Sequence, residues 1–431
     1  MESMDKSDMR DLTKSERDRE IARQLGLSSS VGQPSGSENS TPGVSGHYEA
    51  QPEGPRPTPA GSIPGWEAHE KTNIAEHKSL VRRHPSLAEE LAEIDTLDGQ
   101  HGTYKIGTIV LGSGGFGSVT KGTHVETGNP VAIKFYNDQV SRNAIDREVA
   151  IHKYLNRRGV QGICQLLDGP ILGANGGIYV ILEFVDGKTL YHLLKAINDQ
   201  TAAGVWDANP DQALNVSRLL FEFMVSLTET LAQIHQSCVT HYDLKPNNMM
   251  VTPPPEGRLV LLDLGLACIQ QDCVPKTPPP DVSMPVGDWK CDFKASTVGY
   301  NAPEVLEYRD HPNRPGSAGF DFRKADTYAL GKVFTDMATG IVAFHRSDEF
   351  NDQLVDSPEE MKVHFRTGND ELDALIDVMI FETADVRPSI FEVRNALRRI
   401  EITEPFPIFF KRSSGASATE LFGKSKSDMF Y

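Results

Sequence analysis

The chain has 431 residues, room for one large domain with tails or for two to three average domains. Hydrophobic residues make up 39% and charged residues 24%, a balance that suits a folded core joined to polar segments. A net charge of −17 argues against nucleic acid and membrane surfaces as partners, because like charges repel, and no run approaches the roughly 18 apolar residues of a membrane span.

Residues 1–100 read as a mostly disordered N-terminal arm. Its first ten residues, MESMDKSDMR, are charged and carry no apolar signal core, so a cytoplasmic location is expected. Residues 28–65 are rich in Ser, Gly and Pro and cannot bury enough apolar surface to offset chain entropy. Near its end, Ser86 and Glu89 form a capping-box pattern, and Leu87, Leu91 and Ile94 share a face, which predicts a short helix near 86–95. The arm suits a regulatory tail, a docking segment or the secretion signal of an effector.

Strand-like segments follow at 104–111, 117–124, 129–136 and 178–185, rich in Val, Ile, Tyr and Phe and punctuated by Gly, Asn or Pro. One helix interrupts them at about 141–156. Helical periodicity then takes over, most clearly at 217–235, 325–339 and 372–382. Strands followed by helices predict an α+β, two-lobed body. Its sheet-rich lobe runs over about 101–185 and its helical lobe over about 186–402. Insertions near 196–214, with Trp206, and near 268–294 are docking candidates. The tail, 403–431, is expected to be anchored loosely if at all, through Phe406, Phe409 or Phe410. Five cysteines (Cys164, Cys238, Cys268, Cys273 and Cys291) are odd in number and irregularly spaced, which predicts neither a disulfide framework nor a zinc site.

Four patterns carry chemistry. Gly112, Gly114 and Gly117 make GxGxxG between two strands, where backbone amides can approach phosphate closely. A dinucleotide-binding turn would open a helix instead. Lys134 in VAIK sits on an apolar strand, where an unpaired ammonium is costly, and Glu148 on the next helix is its natural partner. In THYDLKPNNMMV, Asp243 can accept a hydroxyl proton, Lys245 can meet a phosphate and Asn248 can offer an amide oxygen to a metal. Asp263 ends an apolar strand before Leu264-Gly265, a placement that suits a metal ligand on a movable segment. An isolated Asp is more often a turn or a cap, but four such patterns in one order point to phosphoryl transfer.

In that order the motifs resemble the eukaryotic-type protein kinase family over about residues 101–402. The resemblance implies a two-lobed fold with an antiparallel-sheet lobe and one main helix. It implies ATP with Mg2+, or Mn2+, as cofactors and a protein as substrate. Asp243 and Lys245 would be catalytic, and Asn248 and Asp263 would hold the metal. Gly112, Gly114, Gly117 and Lys134, paired to Glu148, would hold the phosphates. Leu111, Val119, Ala132 and Met250 would wall the adenine beside a hinge at Glu183, Phe184 and Val185, with Leu182 as gatekeeper. Glu304 would pair with Arg387, and Asp326 would brace the catalytic loop. Lys245 and Thr297 resemble serine/threonine kinases.

The chain departs from the family at three places. Tyr242 stands where an arginine usually gathers activation-loop phosphate, so activity is expected without that phosphorylation. Leu264 replaces Phe beside Asp263 and keeps an apolar plug. His152, four residues after Glu148, occupies a usually apolar position and reads either as a core histidine or as a pH-sensitive one. The alternative to an active kinase is an ATP-binding pseudokinase scaffold. Retention of Lys134, Glu148, Asp243, Asn248 and Asp263, none needed for folding, argues for the active enzyme.

Overall fold

The computed structural model describes residues 95–253, 257–269, 297, 299–310, 321–340 and 366–410. Strands β1 (Thr96–Asp98), β2 (Thr103–Gly114), β3 (Gly117–His124), β4 (Pro130–Tyr136), β5 (Leu166–Leu172) and β6 (Ile178–Glu183) form one sheet, ordered β1-β2-β3-β4-β6-β5. Every neighbouring pair is antiparallel. Side chains alternate between faces along each strand. Val131 and Ile133 of β4 therefore join Tyr104, Ile106, Tyr179 and Ile181 in a core on one face. Tyr136 and Val180 point the other way and pack on Ile145 and Val149 of helix α1 (Arg142–Arg157). Lys134, between Ala132 and Tyr136 in the second set, is aimed at α1 by alternation alone.

Two strands differ from expectation. β1 brings Leu97, 2% exposed, into the sheet core, so the arm ends sooner than residue 100. Three residues are too short to show a period. The helix predicted near 86–95 lies, up to residue 94, outside the described residues. β5 contains Gly169-Pro170, a pair that argues against a strand. It survives because β5 is an edge strand with an irregular register around Asp168.

The second lobe is built from helices α2 (Leu190–Ala203), α3 (Pro210–Gln236), α4 (Pro303–Asp310), α5 (Arg323–Thr339), α6 (Asp370–Met379) and α7 (Ile390–Leu397). In α3, Leu220, Met224, Leu227, Leu231 and Ile234 recur every three or four residues and are fully buried. Helix α5 runs through the centre, with Leu330, Val333, Phe334, Met337 and Ala338 fully buried. Capping agrees with these ends: Ser389 and Glu392 form a capping box on α7, and Gly340 takes the left-handed conformation (φ 67°) that closes α5.

The body continues past residue 402, contrary to a loosely held tail. Phe406 and Phe409 are buried, and only Phe410 is exposed. Trp206 meets Phe409 edge-on at 5.0 Å between centroids, so it is packing and not a free docking contact. The 196–214 segment is mostly the end of α2 and the start of α3. Residues 270–294 of the other proposed insertion lie outside the described residues.

Short strands β7 (Lys188–Thr189), β8 (Val239–Thr240), β9 (Met249–Val251), β10 (Leu259–Leu261) and β11 (Cys268–Ile269) make two small sheets. β9 pairs with β10 and β8 with β11, both antiparallel. The loop 241–248 runs from β8 to β9, and the loop 262–267 runs from β10 to β11. Each loop is thus pinned at both ends beside the other. Cys238 and Cys268 each take part in a disulfide, against the expectation from cysteine spacing, whereas Cys164 is free and buried. Strands of two residues left no pattern from which to foresee their pairing. Among the described residues no helix is long and apolar enough to cross a membrane.

Candidate active site

Lys134 is the meeting point of three elements. Its Nζ lies 2.6 Å from Glu148 Oε1 on α1 and 2.9 Å from Asp263 Oδ1 after β10. Burial alone would depress this ammonium, but the Asp263 and Glu148 carboxylates outweigh burial and hold it charged well above its ordinary range. Burial acts the opposite way on Asp263 and raises it, yet Lys134 and the Gly265 N–H bring its carboxyl down to about 2. Glu148 goes the other way: burial outweighs Lys134 and raises it. The Tyr136 ring, 5.0 Å from Lys134 Nζ, completes this side and is a contact that sequence reasoning missed.

Asp263 holds a left-handed backbone (φ 51°), a conformation that costs energy for a non-glycine residue. Its Oδ1 takes the bonds from Lys134 and from Gly265 N–H, at 3.1 Å, which leaves Oδ2 for a cation. A Cβ on Gly265 would lie 3.1 Å from Asp263 Oδ1 and 3.3 Å from Glu148 Oε2, so this position favours glycine for room.

The second cluster is a closed ring of bonds. Thr297 Oγ1 donates to Asp243 Oδ1 at 2.6 Å and accepts from Lys245 Nζ at 2.8 Å. Lys245 Nζ also donates to Asp243 Oδ2 at 2.8 Å. Asn248 Nδ2 donates to Asp243 Oδ2 at 2.8 Å and to its carbonyl at 2.9 Å, so the amide oxygen is left to accept or to ligate. The part of Thr297 in this ring was not foreseen, because 54 residues separate it from Asp243.

The two clusters are tied through backbone. Leu262 N–H donates to Asn248 O at 2.7 Å. Asp243 N–H donates to His241 Nδ1 at 3.3 Å, so the proton of that ring sits on Nε2, which donates to Leu262 O at 3.1 Å. Asp326 on α5 accepts from the N–H groups of His241 and Tyr242, each at 2.8 Å, and lies 2.8 Å from His235 Nε2. The expected brace on the loop is therefore in contact with it. Glu304 and Arg387 form a two-pronged pair at 2.7 and 2.8 Å.

Above these clusters, β2 and β3 close a hairpin at Gly114 opposite Gly117. A Cβ on Gly112, Gly114 or Gly115 would meet nothing within 4 Å, so these backbones border open space. Gly117 is different: its φ is 154°, and a Cβ would lie 1.9 Å from Phe135 O. The residues read as adenine walls spread over several elements. Val185 packs with Cys164 and Val260, against Leu182 and Met250. Ala132 is opposite Leu182, and Val119 opposite Lys134, across sheet ladders. Leu111 is 42% exposed on β2, and Glu183 ends β6 beside Val131. Asn248 and Asp263 offer an amide and a carboxylate oxygen, a set that suits magnesium, which takes few protein ligands, and the Lys134 ammonium offers a cation to phosphate oxygens. Among the described residues no group of three or more His, Cys, Asp or Glu side chains is set to hold a metal by itself.

A family model described as "Protein kinase domain" matches residues 106–397. The chain is 26% identical over 252 residues to "CBL-interacting protein kinase 33" of Oryza sativa subsp. japonica, covering 57% of this chain and 46% of that protein. It is 28% identical over 251 residues to "Serine/threonine-protein kinase cds1" of Schizosaccharomyces pombe, covering 56% and 45%. It is 26% identical over 254 residues to "Serine/threonine-protein kinase D3" of Homo sapiens, covering 57% and 23%. The matches thus span about half the length of these relatives or less.

Proposed function

The chain belongs to the protein kinase family, and from that premise we propose that it moves the γ-phosphoryl group of ATP to a serine or threonine hydroxyl of a protein. Asp243 accepts the proton of the attacking hydroxyl. As the new P–O bond forms, the bond from phosphorus to the β,γ-bridging oxygen breaks. Lys245, 2.8 Å from Asp243, stands where it can neutralise the transferring phosphoryl. Lys134, held by Glu148, takes the α- and β-phosphates, and Asn248 and Asp263 would hold magnesium. When bound there, magnesium would supply charge neutralisation to the phosphates. The glycines of the β2–β3 hairpin cover the phosphates.

One observation supports this reading above the rest. Two charged clusters, one around Lys134 and one around Asp243, meet where the loops that carry Asp263 and Asp243 are joined by the Leu262–Asn248 and His241–Leu262 bonds. Thr297 in the Asp243–Lys245 ring, together with relatives named as serine/threonine kinases, supports a serine/threonine acceptor.

Wild type and Asp243→Asn protein, incubated with γ-labelled ATP, magnesium and generic protein acceptors, test the reading. Wild type is expected to label serine and threonine, with a loss of about 10²- to 10⁴-fold in the variant. Equal labelling would overturn the assignment. ATP binding without transfer by wild type would leave the scaffold alternative.

A further inference from the structure

Helix α1 carries three polar side chains one turn apart, Glu148, His152 and Asn156, in a single row. Each clamps a different element. Glu148 holds Lys134 of β4 at 2.6 Å. His152, 4% exposed, sets its Nε2 2.5 Å from the carbonyl oxygen of Cys164. Asn156 Nδ2 donates to Leu166 O of β5 at 2.9 Å. Ile145, Val149 and Leu155 of α1 make apolar contacts, which lack direction. Hydrogen bonds to fixed carbonyls are directional and set the rotation of the helix about its axis.

The partner of His152 is itself a junction. Cys164 N–H donates to Leu261 O at 2.9 Å, and Leu261 N–H donates to Gly162 O at 2.8 Å, so the segment 162–164 lies along β10, two residues before Asp263. The Cys164 thiol is 3.5 Å from Glu183 O, and Glu183 N–H donates to Gln165 O at 2.8 Å. The segment therefore joins the strand that leads to Asp263 and the end of β6. A core histidine with no further role needs some partner, but it does not need this one.

We propose that His152 and Asn156 are positioning residues: they lock the rotation of α1 against the 162–166 segment and so keep Glu148 on Lys134 while Asp263 stays in register. Burial pushes the His152 imidazole down to about 4, so at neutral pH the ring is uncharged and its Nε2–H donates to the carbonyl. The inference rests on the reading of Lys134 and Glu148 as the phosphate-holding pair.

Hydrogen exchange on the full chain without nucleotide tests it independently of activity, with His152→Leu, Asn156→Leu and His152→Gln, the last keeping a donor. Each leucine variant is expected to speed exchange in the α1 peptide 142–157 by about tenfold, the scale of one lost buried hydrogen bond. His152→Gln is expected to restore it to within about threefold. In transfer assays the leucine variants are expected to lose kcat by a similar factor, with the KM for protein acceptor unchanged. Wild-type α1 exchange in both leucine variants would overturn the proposal. Should His152→Leu fail to fold, Asn156→Leu, at the half-buried end of the row, decides by the same measure. Faster α1 exchange in a chain that transfers no phosphate would uphold the clamp and sink only the catalytic reading.

Discussion

Lys134 stands between two carboxylates, and its removal would leave Glu148 and Asp263 facing each other without a cation. Lys134→Met is therefore expected to cost about 3 kcal/mol in urea unfolding, the scale for breaking a buried pair, and to reduce transfer at least about 100-fold. Wild-type stability in that variant would show the pair to be dispensable for folding. Acid acts on the same region in two steps. Folding lowers His152 from 6.5 to about 4, chiefly by burial; Lys134 adds to this, while the Cys164 carbonyl and Asp263 oppose it. The unfolded chain thus binds the extra proton first, so stability is whole above about pH 6.5 and falls as pH drops toward 4. Asp263, lowered from 3.8 to about 2, contributes stability above about pH 3.8 that is lost below it. His152→Leu should lack the first step, a difference on the order of 3 kcal/mol between pH 6.5 and 4. Parallel stability curves for wild type and variant over that range would refute the assignment.

At the scale of elements, the segment after Asp263 is held by packing where a phosphate clamp would otherwise stand. Tyr242, with a left-handed backbone (φ 70°), is buried among Ala302, Val305 and Ala325, with Leu266, Phe322 and Tyr328 around it. The cluster joins the loop after Asp263, the start of α4 and the start of α5. Its apolar contacts form without any added charge, so protein made without another kinase, then treated with phosphatase, is expected to keep its transfer activity within about twofold. Activity that appears only after phosphorylation of Thr277, Ser283 or Ser296 would contradict this. Tyr242→Arg would bury an unpaired cation in the cluster, at a cost of several kcal/mol, and should lower both melting temperature and activity. The loops themselves were legible in sequence because Lys134, Asp243, Asn248 and Asp263 are residue types a core does not ask for. The strands and long helices were legible from their periods. β1, β5 and the β8–β11 ladder were not, since three residues, a Gly-Pro interruption and a two-residue pairing each fall below what periodicity can register. The Thr297 bond and the Asn156 clamp were hidden for another reason: each depends on which distant backbone or side chain a polar group meets.

For the molecule as a whole, the helical lobe is closed by the chain past residue 402. Phe406 and Phe409 are nearly fully buried, and the backbone is stitched to α3 and α2 by Phe406 N–H to Ser217 Oγ at 2.9 Å and Thr201 Oγ1 to Ile408 O at 2.7 Å. Gly340, at the end of the central helix α5, is tied to α2 through Asn198 at 2.7 Å and lies against Ile408, so α2, α5 and the segment meet there. Removing a buried phenylalanine costs the transfer energy of the ring and the cavity left behind, and Phe406→Ala should lose about 3–5 kcal/mol. Trp206 gives a graded control. Its indole N–H is buried with no partner among the described residues, so Trp206→Phe deletes an unsatisfied donor along with some area and should cost less than about 1.5 kcal/mol, whereas Trp206→Ala should cost about 3–5. Because these contacts lie in the lobe core and touch none of Lys134, Asp243 or Asp263, kcat measured well below the melting temperature should hold within about twofold even as the melting temperature drops. Urea unfolding and transfer rates on the same preparations separate the two quantities. A Phe406→Ala variant that melts with wild type would mean that the segment does not seal the lobe.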